Sequence, residues 1–208
     1  NLIRNYPQYD YIVVNDGSKD STAEICRQKG YQLIDLPINL GLSGAVQTGI
    51  RYAIKNGYDA AVQFDGDGQH RPEYIKALAD KIINENAQVV IGSRFVTEKK
   101  THSLRMLGSC ILSSMIRLST GKKIQDPTSG MRMFGKEVLY EFAYDMNYGP
   151  EPDTISYLIK QGKKVEEIQV TMDERIAGES YLNLVRSIKY MIYMSFSIIF
   201  IQGFRRKK

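Results

Sequence analysis

Three times in its first 85 residues the chain runs through a short apolar stretch, breaks into a polar glycine-bearing loop, and continues with helical spacing. Residues 11–15 (YIVVN) stop at DGSKDST, whose Asp, Gly and Ser mark a turn and a helix cap, and residues 21–29 then read as helix. Residues 31–36 lead through PINLGL to a helical stretch over 43–56. Residues 60–64 (AAVQF) lead through DGDGQH to a helix predicted over 72–85, with Pro72 in its first turn. Residues 89–92 (VVIG) form the next strand. Strands and helices of these lengths imply right-handed crossovers and a mostly parallel central sheet flanked by helices on both faces, an α/β layout of the nucleotide-binding type. Beyond Ser103 the helices lengthen, and strands are predicted at 131–134 and 165–171. No repeat or low-complexity linker divides the chain, and its 208 residues, 43% of them hydrophobic, suffice for one sizeable core.

Few function classes follow from bulk properties, but some are disfavoured. The net charge of +5 is moderate, and the one long basic run is the terminal Arg205–Lys208, which argues weakly for an anionic partner and not for nucleic acid. Cys26 and Cys110 are too few for a disulfide framework and match no zinc spacing, so a reducing compartment and two small buried hydrophobes are expected. The chain opens on Asn1 without a signal-peptide pattern, as expected of a fragment or a processed chain. Residues 190–204 are uncharged and flanked by Arg186, Lys189 and the basic tail. That run is shorter than the ~20 residues a bilayer span takes. A C-terminal helix lying on a membrane surface and an amphipathic helix docked on the domain's own core both fit it.

In an open parallel sheet, ligands collect at the carboxyl ends of strands, which is where DGSKD and DGDGQH fall. Asp65 and Asp67, two residues apart on a glycine-relaxed loop, can aim their oxygens at one small volume. A hard divalent cation would offset their repulsion and bridge them to a diphosphate. Taken alone the pair also fits an ordinary Asp-Gly turn. A phosphoenzyme is disfavoured, because Gln69 stands where the aspartyl-phosphatase motif carries Thr or Val. His70 and His102 are read as solvated or hydrogen-bonded side chains rather than ligands.

The series VVNDGSKDST, NLGLSGAVQTGI, DGDGQHRPE, GSRF, DPTSGMRMF and ERIAGESY, in this order, resembles glycosyltransferase family 2. Within it the chain is similar to the dolichyl- or polyprenyl-phosphate sugar synthases and the transferases of bacterial cell-surface polysaccharide. The resemblance implies a GT-A type fold, a nucleotide-sugar donor, bound Mg2+ or Mn2+, and an acceptor that is a polyprenyl phosphate or a lipid-linked glycan. By the same resemblance Asp16 contacts the nucleoside, Asp65 and Asp67 hold the metal with Gln69 nearby, and Arg94 and Arg175 serve the donor phosphates. Arg105, Ser109 and Arg132 would meet an acceptor phosphate, and Asp126, Glu151 and Asp153 would line the acceptor side and supply a catalytic base. Asp126 is equally read as a cap or turn residue, and Arg94 and Arg175 as surface ion pairs.

Members of the family it resembles begin with an apolar strand and a Pro-Ala-Tyr-Asn-Glu-like segment, and this chain is expected to start after both. Residues 1–180 are therefore expected to be a catalytic domain lacking its founding strand, with 181–208 a membrane-associating helix and basic tail. The expected activity is inverting, metal-dependent sugar transfer at the cytoplasmic face of the membrane. Two other classes compete: a membrane-associated nucleotide-sugar binding module without turnover, and a nucleotidyltransferase on a related sheet.

Overall fold

The computed structural model describes residues 5–98, 104–145, 149–174 and 184–202. The first half alternates β1 (Val13–Asn15), α1 (Thr22–Gln28), β2 (Leu33–Asp35), α2 (Gly41–Lys55), β3 (Ala60–Gln63), α3 (Tyr74–Glu85) and β4 (Val89–Ser93). The second contains α4 (Leu104–Thr120), β5 (Arg132–Gly135), α5 (Lys136–Tyr140), α6 (Pro152–Lys160), β6 (Val165–Gln169) and α7 (Leu184–Phe196). Helices α5 and α7 each widen into a π-type turn, Glu141–Asp145 and Ser197–Ile201. The predicted elements recur within two residues at most boundaries. Helix α3 begins at Tyr74, because Pro72 instead closes a preceding turn in which the Ile75 N–H donates to the Pro72 carbonyl at 3.0 Å. It ends at Asn86, whose left-handed φ of 54° is a common helix stop.

β1 and β2 pair in parallel, and the main sheet has the order β3-β5-β4-β6. β4 and β6 are parallel, whereas β5 runs antiparallel to both β3 and β4. Three of the four strands therefore share a direction and β5 opposes them. The sheet is buried on both faces. In β4 every residue is buried, with Val89 and Ile91 in a core shared with α4, α6 and α7, and Val90 in a second core against α3. That two-sided burial is why β4 reads as a continuous apolar run rather than an alternating one.

Direction positions the site. The carboxyl ends of β3, β4 and β6 and the amino end of β5 lie at one edge, so the loops around Asp65, Arg94, Ser129 and Asp173 converge there. Helix α7 and the turn after it pack on the core along one face through Tyr190, Met194 and Ile198, and the next residue in that four-residue series is the buried Gln202. The face two residues out of phase, Ile188, Ile192, Phe196 and Phe200, is exposed. The two readings of this helix thus describe its two faces: one is docked on the core, and the other is apolar and open. Among the described residues no helix is long and apolar enough to cross a membrane.

Candidate functional site

At the end of β1, Asp16 joins the strand to the start of α2. Its Oδ1 accepts the Leu40 N–H at 2.6 Å, and its carbonyl accepts the Asn39 side-chain amide at 2.9 Å. The next residue must be glycine. Gly17 has φ +65°, and a Cβ there would lie 2.8 Å from the backbone N of Asn39 and 2.8 Å from the backbone C of Ile38. Gly17→Ala is expected to destabilise the protein by at least ~1–2 kcal/mol from the left-handed backbone alone. It should also push residues 38–40 away from Asp16, which thermal unfolding and the affinity for a nucleoside diphosphate would both report.

The loop after β3 is organised around a buried histidine. His70, 2% exposed, stands edge-to-face on Phe64 with ring centroids 5.3 Å apart, and its Nδ1 accepts the Asp65 backbone N–H at 3.0 Å. His70 Nε2 lies 3.9 Å from Asp65 Oδ2. Burial lowers the His70 pKa, and the charges of Asp65 and Asp67 only partly oppose that. Asp67 Oδ1 accepts the Gln69 N–H at 3.0 Å, closing the turn that Gly68, at φ +84°, makes possible. The loop is strapped to the segment after β6 by the Asp173 N–H, which donates to the Gln69 carbonyl at 3.0 Å, and by the two-pronged Arg71–Asp173 ion pair.

Arg94 follows β4 directly. Its Nε and Nη2 donate to the two oxygens of Asp126 at 2.7 and 2.9 Å, and its backbone N–H adds a third bond at 3.2 Å. The Asp126 carboxylate has 0% exposure. Burial alone would raise its pKa, but the hydrogen bonds and charge of Arg94 outweigh that and hold it below the usual carboxylate range. Asp126 is itself set by Glu167 of β6, which accepts the N–H groups of Gln125 and Asp126 at 2.7 and 2.9 Å. Burial raises the Glu167 pKa against those two bonds.

This geometry gives several of the expected site residues structural partners. Asp126, expected as a catalytic base, is here the buried partner that orients Arg94. Arg132, expected at an acceptor phosphate, is buried and donates to the carbonyls of Ser129, Pro127 and Glu151, bracing the loops before β5 and α6. Glu151 accepts the Tyr190 hydroxyl, whose pKa burial and the Glu151 charge push far up. Asp153 accepts from Ser197 Oγ at 2.6 Å and Gln202 Nε2 at 2.8 Å. Both carboxylates therefore anchor the C-terminal helix. Ser109 lies buried in α4, and Arg105 lies in the same helix with its side chain outside the described residues. Arg175, His102 and the basic tail also fall outside them.

Among the described residues no group of three or more acidic, histidine or cysteine side chains gathers as a self-sufficient metal cage. The donor set at the β3 loop nevertheless suits Mg2+ or Mn2+, which are held through one or two carboxylates and completed by water and substrate phosphates. Asp65 and Asp67 would supply the carboxylates and Gln69 an amide, and beside them the amide oxygen of Gln63 is buried with no hydrogen-bond partner among the described residues.

A family model described as glycosyl transferase family 2 matches residues 1–142. The undecaprenyl-phosphate mannosyltransferase of Micrococcus luteus is 30% identical over 189 residues, covering 85% of this chain and 77% of that protein. A UDP-N-acetylglucosamine–dolichyl-phosphate N-acetylglucosaminyltransferase of Methanococcus voltae is 32% identical over 162 residues, 67% of this chain and 64% of that one. Among solved structures, mannosyl-3-phosphoglycerate synthase from Rubrobacter xylanophilus shares the fold at a TM-score of 0.66 and 16% identity, over 99% of this chain and 68% of that one. Glucosyl-3-phosphoglycerate synthase from Mycobacterium tuberculosis, in complex with Mn2+, UDP and phosphoglyceric acid, shares it at 0.65 and 17% identity, over 91% and 67%.

Proposed function

From the premise that this chain belongs to glycosyltransferase family 2, and is a glycosyltransferase using a nucleotide sugar, we propose that it is an inverting, metal-dependent enzyme delivering the sugar to a polyprenyl phosphate at the cytoplasmic face of a membrane. The observation that carries the reading is the shared sheet edge, where the Asp65–Asp67 loop and Arg94 meet. Asp65 and Asp67, with Gln69, would hold Mg2+ or Mn2+, which supplies Lewis-acid stabilisation of the leaving diphosphate. Arg94 adds fixed positive charge where the diphosphate develops its own negative charge, and Asp126 holds the guanidinium in place without reorganisation during the reaction. Asp16 orients the segment on which the nucleoside would rest.

The choice of acceptor follows from the carboxylates. A glycan hydroxyl needs a general base, a contribution of about 10²- to 10⁴-fold in rate. Asp126, Glu151 and Asp153 are each engaged in other bonds. A lipid phosphate is already an anion and needs no base, which favours it over a lipid-linked glycan. Incubating the full-length protein with labelled nucleotide sugars, Mn2+ and a polyprenyl phosphate is expected to yield a lipid-soluble sugar phosphate, and a chelator should stop its formation. Transfer to a glycan hydroxyl, with none to the phosphate, would reject this acceptor.

The open face of α7 supports the membrane placement. Ile188, Ile192, Tyr193, Phe196 and Phe200 form an apolar stripe beside the exposed Lys189. Replacing Ile192 and Phe196 by Asp removes two side chains worth ~1.5–3 kcal/mol each when buried. The vesicle-bound fraction in flotation with anionic liposomes should then fall at least about tenfold. Thermal stability should be little changed, because both residues lie on the undocked face.

A further inference from the structure

We propose that Gly130 and His70, neither of them a metal ligand, together fix the orientation of the Asp65 carboxylate. The inference rests on the reading of Asp65 and Asp67 as the metal-binding pair and concerns what makes one of them rigid enough to serve. A carboxylate on a glycine-flanked loop has free side-chain rotation, and each misdirected rotamer subtracts from the affinity for a small cation that tolerates little distortion.

Two neighbours bound the space in which it can turn. A Cβ built on Gly130 would lie 2.6 Å from Asp65 Oδ2 and 3.4 Å from His70 Cε1, so the missing side chain at 130 is the space that Asp65 Oδ2 fills. The φ of Gly130 is not positive, so its backbone imposes no need for glycine. Occupancy by the carboxylate is what excludes a side chain. On the other flank, His70 Nδ1 accepts the Asp65 N–H, which leaves that nitrogen without a proton and places the ring proton of the neutral imidazole on Nε2. Nε2 is the nitrogen facing Asp65 Oδ2 at 3.9 Å. The ring itself cannot swing away, since it is buried against Phe64. The Asp65 backbone is thereby tied to one buried ring whose other nitrogen faces the carboxylate at 3.9 Å, and Gly130, just before β5, leaves the room that Oδ2 occupies.

The two contacts predict separable effects. In Gly130→Ala the atom encountered is the free end of a side chain, so the carboxylate turns aside at little cost to folding, and the melting temperature should stay close to that of the wild type. His70→Phe keeps the buried ring but removes both nitrogens, whereas His70→Asn retains an acceptor near Nδ1 and should recover part of the loss. The readout is the Kd for Mn2+, followed by the paramagnetic signal of the free ion, alone and with uridine or guanosine diphosphate, on the full-length protein. Loss of an outer partner of a metal ligand typically weakens metal binding ~10- to 100-fold, and Gly130→Ala and His70→Phe are expected in that range.

Asp67→Ala is measured in parallel. If it loses Mn2+ while Gly130→Ala and both His70 variants bind like the wild type, the cradle is overturned and the metal pair stands. If Asp67→Ala itself binds Mn2+ like the wild type, the metal assignment fails and the cradle falls with it. Should His70→Phe fail to fold, Gly130→Ala decides alone: wild-type affinity overturns the inference, and weakened affinity at an unchanged melting temperature supports it.

Discussion

Asp67→Ala is expected to lower metal-dependent sugar transfer by about 10³-fold or more, corresponding to roughly 4 kcal/mol of lost transition-state stabilisation. The loss belongs mainly in kcat, because the cation bound through Asp67 would act most strongly on charge that develops as the bond to the diphosphate breaks. Added Mn2+ should recover little of it. The folded protein should tolerate the change: Asp67 sits on a loop, and the hydrogen bond it accepts from the Gln69 N–H is worth only ~0.5–1.5 kcal/mol net. Steady-state kinetics across a Mn2+ series, beside a melting curve, separate a chemical defect from an unfolded one. Transfer within a few-fold of the wild type would remove the metal pair from the mechanism.

What the sequence showed of this site was set by distance along the chain. The loop at 65–70 is local: the Asp-Gly alternation, the stop of an apolar run and the helix that follows can all be read within a dozen residues, and the structure puts the loop at a strand end. The partners of that loop are far away. Gly130 lies 65 positions from Asp65, and Asp173 lies 102 from Arg71, so no periodicity relates them. The DPTSG motif contains Gly130 but could not reveal which side chain needs the room. The direction of β5 was hidden for a similar reason, since an apolar run of that length looks the same whichever way it pairs. Glu151 and Asp153 are acceptor-side acids only by the family resemblance, which carries no information about their partners in this chain. Their hydroxyl and amide partners come from α7 and the turn after it, in a segment read for its apolar character alone.

Arg94 joins stability to chemistry, and two variants can pull these apart. In Arg94→Ala the Asp126 carboxylate, at 0% exposure, is left without its cation, and breaking such a buried pair costs about 3–5 kcal/mol. For a chain of this size that lowers the melting temperature on the order of 10 °C. The sign with pH follows from the depressed pKa of Asp126. The stabilisation is fully present above the unfolded carboxylate value near ~3.9 and is lost as pH falls through the lower folded value, so the gap between wild type and variant should be widest near neutrality and close in acid. The raised pKa of Glu167 slopes the other way, but Glu167 is present in both proteins and largely cancels in the comparison. Replacing the pair together, Arg94→Met with Asp126→Leu, removes both charges, and such exchanges are often neutral or stabilising by ~1–4 kcal/mol. The double variant should therefore recover most of the melting temperature. Sugar transfer should stay about 10²- to 10³-fold down, the scale for losing one preorganised electrostatic donor. Recovery of both would make the pair a structural clamp with no part in the chemistry. Recovery of stability alone places the guanidinium at the phosphates, where its Nη1 has no partner among the described residues and remains for an anion.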